Sequence, residues 1–318
     1  MKILVTGSAG HLGEALMRTL RERGTPAVSV DVLPSPFTDI VGSIADRKVV
    51  DACMPGVTHV LHAATLHKPH VVSHSRQDFV DTNITGTLNL LEASVTHKVR
   101  AFIFTSTTST FGDALTPPAG SPAAWITEDV VPIPKNIYGV TKTAAEDLCR
   151  LFHRNQQLPC LVLRTSRFFP EEDDVLERAT AYSEDNLKAN EFLYRRVDIE
   201  DVVSSHFLAM DKAPGMGFEK FIITATTPFR PEDAAALGRD TSAVLAKYYP
   251  EFPGLFAKKG WKMLPALDRV YVNAKARELL GWAPKYDFGH VLRCLAAGED
   301  YRSALAVAVG AKGYHRKA

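Results

Sequence analysis

The stretch ILVTGSAGHLGEAL, residues 3–16, places three glycines between an apolar run and a helical pattern: Gly7, Gly10 and Gly13. This order predicts a buried strand, a tight turn and a helix. In a parallel sheet, such a turn lets the backbone approach a ligand closely, and the N–H groups at the helix start favour an anion. Taken alone, the pattern also fits a turn that only connects a strand to a helix.

Length and composition set broad limits on the protein. The 318 residues fit one large domain or two, and 46% hydrophobic with 23% charged residues is typical of a soluble globular protein. The net charge of +1 gives no electrostatic reason to expect nucleic acid or an acidic membrane surface as a partner. No apolar run is long enough for a bilayer span, and we expect no signal peptide. Four scattered cysteines predict reduced thiols in a cytoplasmic protein.

Short apolar runs alternate with helical patterns in the first half of the chain. Strands are predicted at residues 2–6, 27–31, 59–63, 101–106 and 160–164, and helices at 12–23, 45–53, 76–97 and 136–155. Strands separated by helices favour βαβ units, and therefore an α/β doubly wound parallel sheet. Residues 112–125 are rich in Pro, Gly and Ala, which predicts a loop.

Asp31 ends the second predicted strand, about 20 residues after the glycines. An acidic residue at this distance in a dinucleotide site hydrogen-bonds a ribose. A 2′-phosphate about 4 Å from this carboxylate would be repelled by several kcal/mol at an effective dielectric constant of about 20. The residues that follow, VLPSPF, contain no Arg or Lys, so NAD is predicted rather than NADP. The alternative is a carboxylate that merely ends a strand.

The segment YGVTK places Tyr138 and Lys142 four residues apart. Residues with this spacing share one helix face, so the phenol and the ammonium group can reach the same ligand. A free tyrosine, with a pKa near 10, is a poor base at neutral pH. A neighbouring ammonium and a cationic nicotinamide ring both favour the phenolate and so predict an acid/base role.

The chain resembles the extended short-chain dehydrogenase/reductases, in particular the NAD-dependent epimerase/dehydratase family that includes UDP-glucose 4-epimerases. The resemblance rests on motifs that follow the family's order over nearly the whole chain: TGSAGHLG (6–13), Asp31, HAA (62–64), DTNITGT (81–87), IFTSTTSTFG (103–112), YGVTK (138–142), VDIEDV (197–202) and ARELLGWAPKYDF (276–288).

The resemblance implies a Rossmann-type NAD-binding domain at 1–165, with about 197–228, and a smaller substrate-binding region at about 166–196 and 229–318. It implies a catalytic set of Tyr138, Lys142 and Thr107. Thr107, rather than the adjacent Thr108 or Ser109, matches the catalytic Ser/Thr of the family. For NAD it implies Gly7, Gly10, His11, Leu12, Gly13, Asp31, Ser43, Ile44, Ala63, Ala64, Asn83 and Thr105, with Tyr138 and Lys142. For the substrate it implies Thr107, Thr108, Arg167 and Arg269. It also implies a homodimer in which the helices matching 76–97 and 136–155 form a four-helix bundle.

Three departures from the family pattern bear on the reaction. Dehydratases of the family carry an Asp-Glu pair directly after the catalytic Thr, whereas this chain has Thr108 and Ser109, which disfavours 4,6-dehydration. Many relatives have Gly-Asp at the end of the third strand, where this chain has Gly42 and Ser43, so one adenine contact is weakened. Arg167 stands where nucleotide-sugar enzymes usually have an Asn that meets the substrate diphosphate.

Arg167 has two interpretations at this point. An arginine can grip a carboxylate or phosphate through a bidentate fork. Alternatively it pairs with the acidic residues that follow it, Glu171, Glu172, Asp173 and Asp174. The nearby histidines are predicted to lie in a solvent-facing or substrate loop rather than in a metal site, because no carboxylate or thiolate accompanies His67, His70 and His74.

The leading functional prediction is a sugar epimerase or oxidoreductase that moves a hydride between a secondary alcohol or ketone and NAD, with a nucleotide sugar as substrate. The alternatives are a net dehydrogenase or reductase of a non-nucleotide carbonyl or sugar, and a non-catalytic NAD-binding regulatory protein. The complete set of Thr107, Tyr138 and Lys142 argues against the last.

Overall fold

The structure, a computed structural model, describes residues 1–118, 120–171 and 180–313. Its strands are short and almost all buried, as the apolar runs predict. They are β1 (Ile3–Thr6), β2 (Ala27–Asp31), β3 (Ile40–Val41), β4 (His59–His62), β5 (Ala101–Thr107), β6 (Ala124–Ile126), β7 (Cys160–Thr165), β8 (Phe218–Ile223) and β9 (Arg269–Tyr271).

Thirteen α-helices are assigned within these described residues. They are α1 (His11–Glu22), α2 (Arg47–Cys53), α3 (Arg76–Val80), α4 (Gly86–Thr96), α5 (Ile137–Gln156), α6 (Glu184–Glu191), α7 (Ile199–Met216), α8 (Ala234–Leu237), α9 (Thr241–Tyr248), α10 (Phe252–Lys259), α11 (Ala274–Leu280), α12 (Phe288–Ala297) and α13 (Ala304–Val309). A π-helical turn, Asp81–Thr85, joins α3 to α4. None of the described helices is both long enough and apolar enough to cross a membrane.

Seven strands form one parallel sheet in the order β3-β2-β1-β4-β5-β7-β8. Its two faces are covered by helices, as a parallel sheet requires. Side chains from α1 and α7 pack on one face, and those from α2, α4 and α5 pack on the other. The strand order reverses beside β1, so the chain leaves β1 and β4 toward opposite faces of the sheet and a crevice opens at their carboxyl ends. The predicted α/β doubly wound sheet is confirmed.

A second cluster of buried side chains lies outside the sheet. It is built by α6, by α8 to α10, by α12 and by the parallel pair β6 and β9, in which Trp125 is opposite Val270. Most of its residues fall in the predicted substrate-binding region, whose boundaries remain a prediction. The pairing of β6 with β9 corrects the prediction that all of 112–125 is loop. The acidic residues Glu172, Asp173 and Asp174 lie outside the described residues.

Candidate active site

A cavity of about 640 Å³ runs along the carboxyl ends of the parallel strands. Its wall contains residues that follow β1, β2, β4, β5 and β7, and reaches β9 on the far side. Most of the predicted site residues line it: Gly7, Gly10, His11, Leu12, Gly13, Asp31, Ser43, Ile44, Ala63, Ala64, Thr105, Thr107, Thr108, Tyr138, Arg167 and Arg269. The predicted residues Asn83 and Lys142 are buried behind this wall.

The glycine turn is packed so tightly that side chains do not fit. Gly7 has φ +78°, and a Cβ on it would lie 2.7 Å from the backbone nitrogen of Ala64. A Cβ on Gly13 would lie 1.9 Å from the carbonyl oxygen of Gly7. Helix α1 begins directly after Gly10 and has no side-chain cap. The first N–H groups of α1 therefore lie at the cavity, where a phosphate can accept hydrogen bonds from them.

Asp31 closes the other side of this turn. Its Oδ2 accepts a hydrogen bond from the backbone N–H of Ala9 at 2.9 Å, and its Oδ1 accepts one from the N–H of Leu33 at 2.9 Å. Both bonds hold the carboxylate at the end of β2, beside Ser43 and Ile44 on the cavity wall. A carboxylate fixed there can accept hydrogen bonds from the hydroxyls of a ribose, and its negative charge repels a 2′-phosphate on that ribose.

Tyr138 lies in the first turn of α5 and is 8% exposed. Its hydroxyl lies near the side chain of Thr107. Burial is the main cause that raises the pKa of Tyr138 to about 12, and the nearby Thr107 hydroxyl acts in the opposite direction. Thr107 Oγ1 also accepts the N–H of Ser109 at 3.1 Å, which fixes its rotamer. Among the adjacent hydroxyls, Thr107 is thus the residue that contacts the tyrosine.

Lys142 lies one turn further along α5. Its Nζ donates to the carbonyl oxygen of Thr105 at 2.7 Å and lies 4.0 Å from the ring centroid of Phe104. Burial lowers the pKa of Lys142 to about 7, opposed by the negative charge of Glu146. The effects that the structure shows on the pKa of Tyr138 are burial and Thr107, so a contribution from Lys142 remains a prediction.

Asn83 is tied to protein groups on both sides. Its Oδ1 accepts the N–H of Leu66 at 2.9 Å, and its Nδ2 donates to Thr141 Oγ1 at 3.0 Å. These bonds connect the loop after β4 to α5. Asn83 therefore shapes the wall between the cofactor groove and the tyrosine helix from one layer behind it.

Three arginines line the end of the cavity beyond Tyr138: Arg167, Arg195 and Arg269. Buried Glu191 lies 2.6 Å from Arg195 and 4.0 Å from Arg167. Burial raises the pKa of Glu191, but the charges of Arg196, Arg195 and Arg167 outweigh it and bring the pKa to about 2. Arg269 pairs with Asp268 at 2.7 Å.

Arg167 donates a hydrogen bond to the backbone oxygen of Glu171 at 3.3 Å, and its guanidinium lies 4.0 Å from the carboxylate of Glu191. The interpretation in which Arg167 pairs with the acidic run after it stays a prediction, because Glu172, Asp173 and Asp174 lie outside the described residues. Arg195 was missed by sequence reasoning. The dipeptide Arg195-Arg196 directly before VDIEDV was the available signal.

Arg167, Arg195 and Arg269 form a part of the cavity that we call the arginine wall. Among the described lining residues, Asp31 is the only carboxylate, and it lies at the opposite end, beside the glycine turn. The carboxylates of Glu191 and Asp268 pair with Arg195 and Arg269 but do not line the cavity. Guanidinium groups at a cavity surface favour a ligand with negative charge.

His11 joins the glycine turn to the segment that follows β7. Its Nε2 lies 2.9 Å from Oε1 of Glu171, and both side chains are buried. Phe169 packs against the His11 ring, with 5.9 Å between centroids. Oε1 of Glu171 also accepts the backbone N–H of Lys312 at 2.9 Å, and the Lys312 ammonium pairs with Glu14 of α1. Sequence reasoning gave no signal for this contact between distant segments.

Comparison with known proteins agrees with this geometry. The model of the NAD dependent epimerase/dehydratase family matches residues 3–217. A dTDP-glucose 4,6-dehydratase from Streptomyces antibioticus is 28% identical, over 91% of this chain and 89% of that protein. The solved UDP-glucose 4-epimerase from Thermotoga maritima, with UDP-glucose, is 25% identical with a TM-score of 0.65, over 93% of this chain and 98% of that one.

A short-chain dehydrogenase/reductase superfamily protein from Agrobacterium tumefaciens with bound NAD shares the fold, with a TM-score of 0.66 at 23% identity over 93% of this chain and 96% of that one. The match of the family model to two thirds of the chain, with the glycine turn, Asp31 and the Tyr–Lys pair in place, leads to one assignment. The chain belongs to the NAD-dependent epimerase/dehydratase family of enzymes, whose cofactor is NAD.

Proposed function

We propose that this enzyme uses Tyr138 to oxidise a secondary alcohol of an anionic sugar derivative, with NAD as the hydride acceptor. The observation that carries the proposal is the contact between Tyr138 and Thr107, which lies between the NAD-type groove and the arginine wall. A reacting C–H group at this point would be within reach of both the tyrosine and the cofactor.

The glycine turn would hold the pyrophosphate of NAD, and Asp31 would hold the adenosine ribose. Bound NAD⁺ supplies the site that takes up the hydride. The phenolate of Tyr138 would take the proton of the substrate hydroxyl, and the hydrogen on the carbinol carbon would pass with its bonding electron pair to the bound cofactor, so that the alcohol becomes a ketone. Thr107 orients the reacting oxygen through its own hydroxyl.

The phenolate has to be stabilised, because burial raises the pKa of Tyr138 to about 12 even with the opposing effect of Thr107. A protonated Lys142 and the cationic nicotinamide ring both favour the charged form of the tyrosine. Lys142 is itself buried, with a pKa lowered to about 7. A neighbouring phenolate would in turn favour its ammonium form, so the two groups are expected to titrate as a pair.

We infer that the substrate is a nucleotide sugar whose diphosphate is held by Arg167, Arg195 and Arg269. The three guanidinium groups face a cavity end in which the described lining residues include no carboxylate. The names of the dehydratase and the epimerase reported above both refer to sugars linked to a nucleoside diphosphate. A smaller sugar with a carboxylate or phosphate is the alternative, because a single bidentate arginine suits either group.

We favour epimerisation or net oxidation over dehydration. Elimination of water across two carbons needs an additional acid and base next to the hydride-transfer site. Thr108 and Ser109 occupy the positions after Thr107, and both line the cavity with hydroxyl groups. The Streptomyces relative is a dehydratase by name, but these two residues do not supply the required carboxyl groups.

The first experiment is to denature freshly purified protein and identify the released nucleotide by chromatography and absorbance. Stoichiometric NAD supports a cofactor that is kept through the cycle, as epimerisation requires. Protein that is free of nucleotide but binds NAD on titration supports a net dehydrogenase or reductase. The Tyr138→Phe variant should bind NAD normally and lose turnover; full activity in this variant contradicts the mechanism.

We also propose a homodimer that pairs α4 and α5 of each copy. Helix α5 carries apolar side chains on its outer surface, where Val140 is 49% and Leu151 is 38% exposed. Light scattering should give twice the mass of one chain for the wild type. A monomeric wild type contradicts the proposal, as does a Val140→Glu, Leu151→Glu variant that remains dimeric.

The four cysteines are all buried and unpaired. Free thiols persist in reducing compartments, which supports the inference that the enzyme works in the cytoplasm.

A further inference from the structure

His206 is a buried histidine that the proposed reaction does not use. It lies on α7 with 0% exposure, on the side of the sheet opposite the tyrosine helix. Its Nδ1 lies 2.8 Å from the carbonyl oxygen of Val202, one turn earlier on the same helix. Its Nε2 lies 2.8 Å from Oγ1 of Thr105 at the end of β5.

These two contacts determine where the protons are. A carbonyl oxygen can only accept, so Nδ1 of His206 carries a hydrogen and donates it to Val202. Burial lowers the pKa of His206 to about 4, so the ring is neutral near pH 7 and carries a single proton. Nε2 is then an acceptor, and the Thr105 hydroxyl donates to it.

The direction of the hydrogen bond from Thr105 to His206 determines which part of the Thr105 hydroxyl faces the cavity. Thr105 lines the cofactor groove, and its only hydroxyl hydrogen points away toward His206. The oxygen therefore offers lone pairs to the groove and accepts hydrogen bonds from a ligand. The carbonyl oxygen of Thr105 accepts a hydrogen bond from Nζ of Lys142 at 2.7 Å. Thr105 thus connects the catalytic lysine, the groove and the buried histidine.

His62 on β4 is a second buried histidine whose protonated nitrogen is determined by its hydrogen bonds to threonines. The Thr87 hydroxyl donates to the carbonyl oxygen of Asn83 at 2.7 Å, so Nε2–H of His62 must donate to Thr87. Nδ1 of His62 then accepts from Thr6, whose oxygen receives the backbone N–H of Ala64 at 3.1 Å. In both cases a buried neutral imidazole fixes the direction of a threonine hydroxyl; the Thr6 oxygen then accepts from the backbone, whereas Thr105 lines the cavity.

We propose that His206 is a positioning residue that fixes the Thr105 hydroxyl oxygen as an acceptor for an N–H or O–H donor on the nicotinamide half of NAD. The inference rests on the proposed function only in that NAD occupies this groove. The donors available on that half are the carboxamide and the ribose hydroxyls. Without His206, the Thr105 hydroxyl rotates freely and presents its hydrogen to the groove as often as its lone pairs.

The test compares binding of three ligands by calorimetry: NAD⁺, ADP-ribose, which lacks the nicotinamide ring, and ADP, which lacks that half entirely. His206→Leu should weaken NAD⁺ binding about 2- to 10-fold, the range for one hydrogen bond, and leave ADP unchanged. Loss with NAD⁺ alone identifies the carboxamide as the donor, and an equal loss with ADP-ribose identifies a ribose hydroxyl.

Further variants separate positioning from a general effect on the fold. Thr105→Val should lose the same factor, and the double variant should lose no more than either single one. His206→Gln, whose amide can both donate to Val202 and accept from Thr105, should restore most of the affinity. The matched control is His59→Leu, which removes another buried His–Thr contact at the opposite end of the sheet.

Three results would overturn the inference. These are unchanged NAD⁺ affinity in His206→Leu, additive losses in the double variant, and an equal loss of ADP binding. All proteins are first stripped of any co-purified nucleotide; if the stripped wild type binds no NAD⁺, the proposed function fails instead, and the two failures are therefore distinguishable.

Discussion

At the scale of single residues, Thr107 and its neighbours give a direct test of the site. The Thr107 hydroxyl lowers the pKa of Tyr138, whereas Thr108 lies on the cavity wall and is not a cause of that pKa. Thr107→Val should lower kcat about 100-fold, because a positioned proton-transfer partner contributes at this level. Thr108→Val should change kcat less than 10-fold. Steady-state kinetics of both variants decide the matter, and equal losses would contradict the assignment.

Lys142 allows a prediction about stability as well as activity. Its pKa is about 7 in the folded protein and about 10.4 when unfolded. The unfolded chain therefore binds more protons between these pH values. The contribution of Lys142 to the free energy of unfolding rises over this window, by up to about 1.4 kcal/mol per pH unit. Below pH 7 the lysine is charged in both states, so its burial lowers the free energy of unfolding by an amount that does not change with pH.

Lys142→Met should therefore abolish turnover and still be more stable than the wild type at pH 7. The difference should shrink toward pH 10, because the folded-state lysine is then neutral and the cost of removing the proton from the unfolded-state lysine falls as the pH approaches its pKa. Urea unfolding at pH 7, 8, 9 and 10 measures it. Exposed Lys48 provides the control, since Lys48→Met should give a difference that does not change with pH. A constant difference for Lys142→Met would refute the pKa shift.

Sequence reasoning located single residues well where a motif places them, and poorly where only the fold does. Tyr138 and Thr107 are 31 residues apart, and two quoted motifs bring them together. Arg195 and Glu171 carry no comparable signal, because their partners Glu191 and His11 are chosen by how α6 and the segment after β7 pack. Such contacts depend on three-dimensional packing that local pattern does not encode.

At the scale of elements, the glycine turn allows β1 and α1 to approach each other closely. Gly13→Ala would place a Cβ 1.9 Å from the Gly7 carbonyl oxygen, so the helix has to shift. We expect a loss of about 1–3 kcal/mol in the free energy of unfolding, as for other overpacked sites, together with at least 10-fold weaker NAD binding. Thermal unfolding and calorimetric titration measure the two effects.

Gly254 is the matched control for that substitution. It lies in α10, and a Cβ on it would meet no atom within 4 Å. Gly254→Ala should raise stability by up to about 1 kcal/mol through helix propensity and leave NAD binding unchanged. If Gly13→Ala behaved like Gly254→Ala, the close approach of the turn to α1 would not matter for the cofactor.

The predicted strands of the large sheet agree with the structure to within about a residue, because each is an apolar run bounded by turn residues. The small pair β6 and β9 was not predicted. Each strand has three residues, and Trp125 and Val270 are 145 positions apart in the chain. Strands so short carry no periodicity, and pairing over such a separation is determined by the core that surrounds Phe288.

At the scale of the whole molecule, Glu171 connects three distant parts of the chain. Its carboxylate contacts His11 at the glycine turn and the backbone of Lys312, while Lys312 pairs with Glu14 on α1. Burial raises the pKa of Glu171, but the hydrogen bond and charge of His11 outweigh it and bring the pKa to about 2. An unperturbed glutamate has a pKa near 4.3. This contact therefore stabilises the fold above about pH 4 and is lost as the pH falls toward 2.

Glu171→Gln should lower the free energy of unfolding by about 3 kcal/mol at pH 7, since it leaves His11 buried without its carboxylate. The difference from the wild type should decrease as the pH falls from 5 to 2, because the wild-type carboxylate then becomes protonated. Urea unfolding across this range measures it, with exposed Glu22→Gln as a control expected within about 0.5 kcal/mol of the wild type. A difference that is small at pH 7, or independent of pH, would mean that the segment after β7 is held by Phe169 and its neighbours rather than by the ion pair.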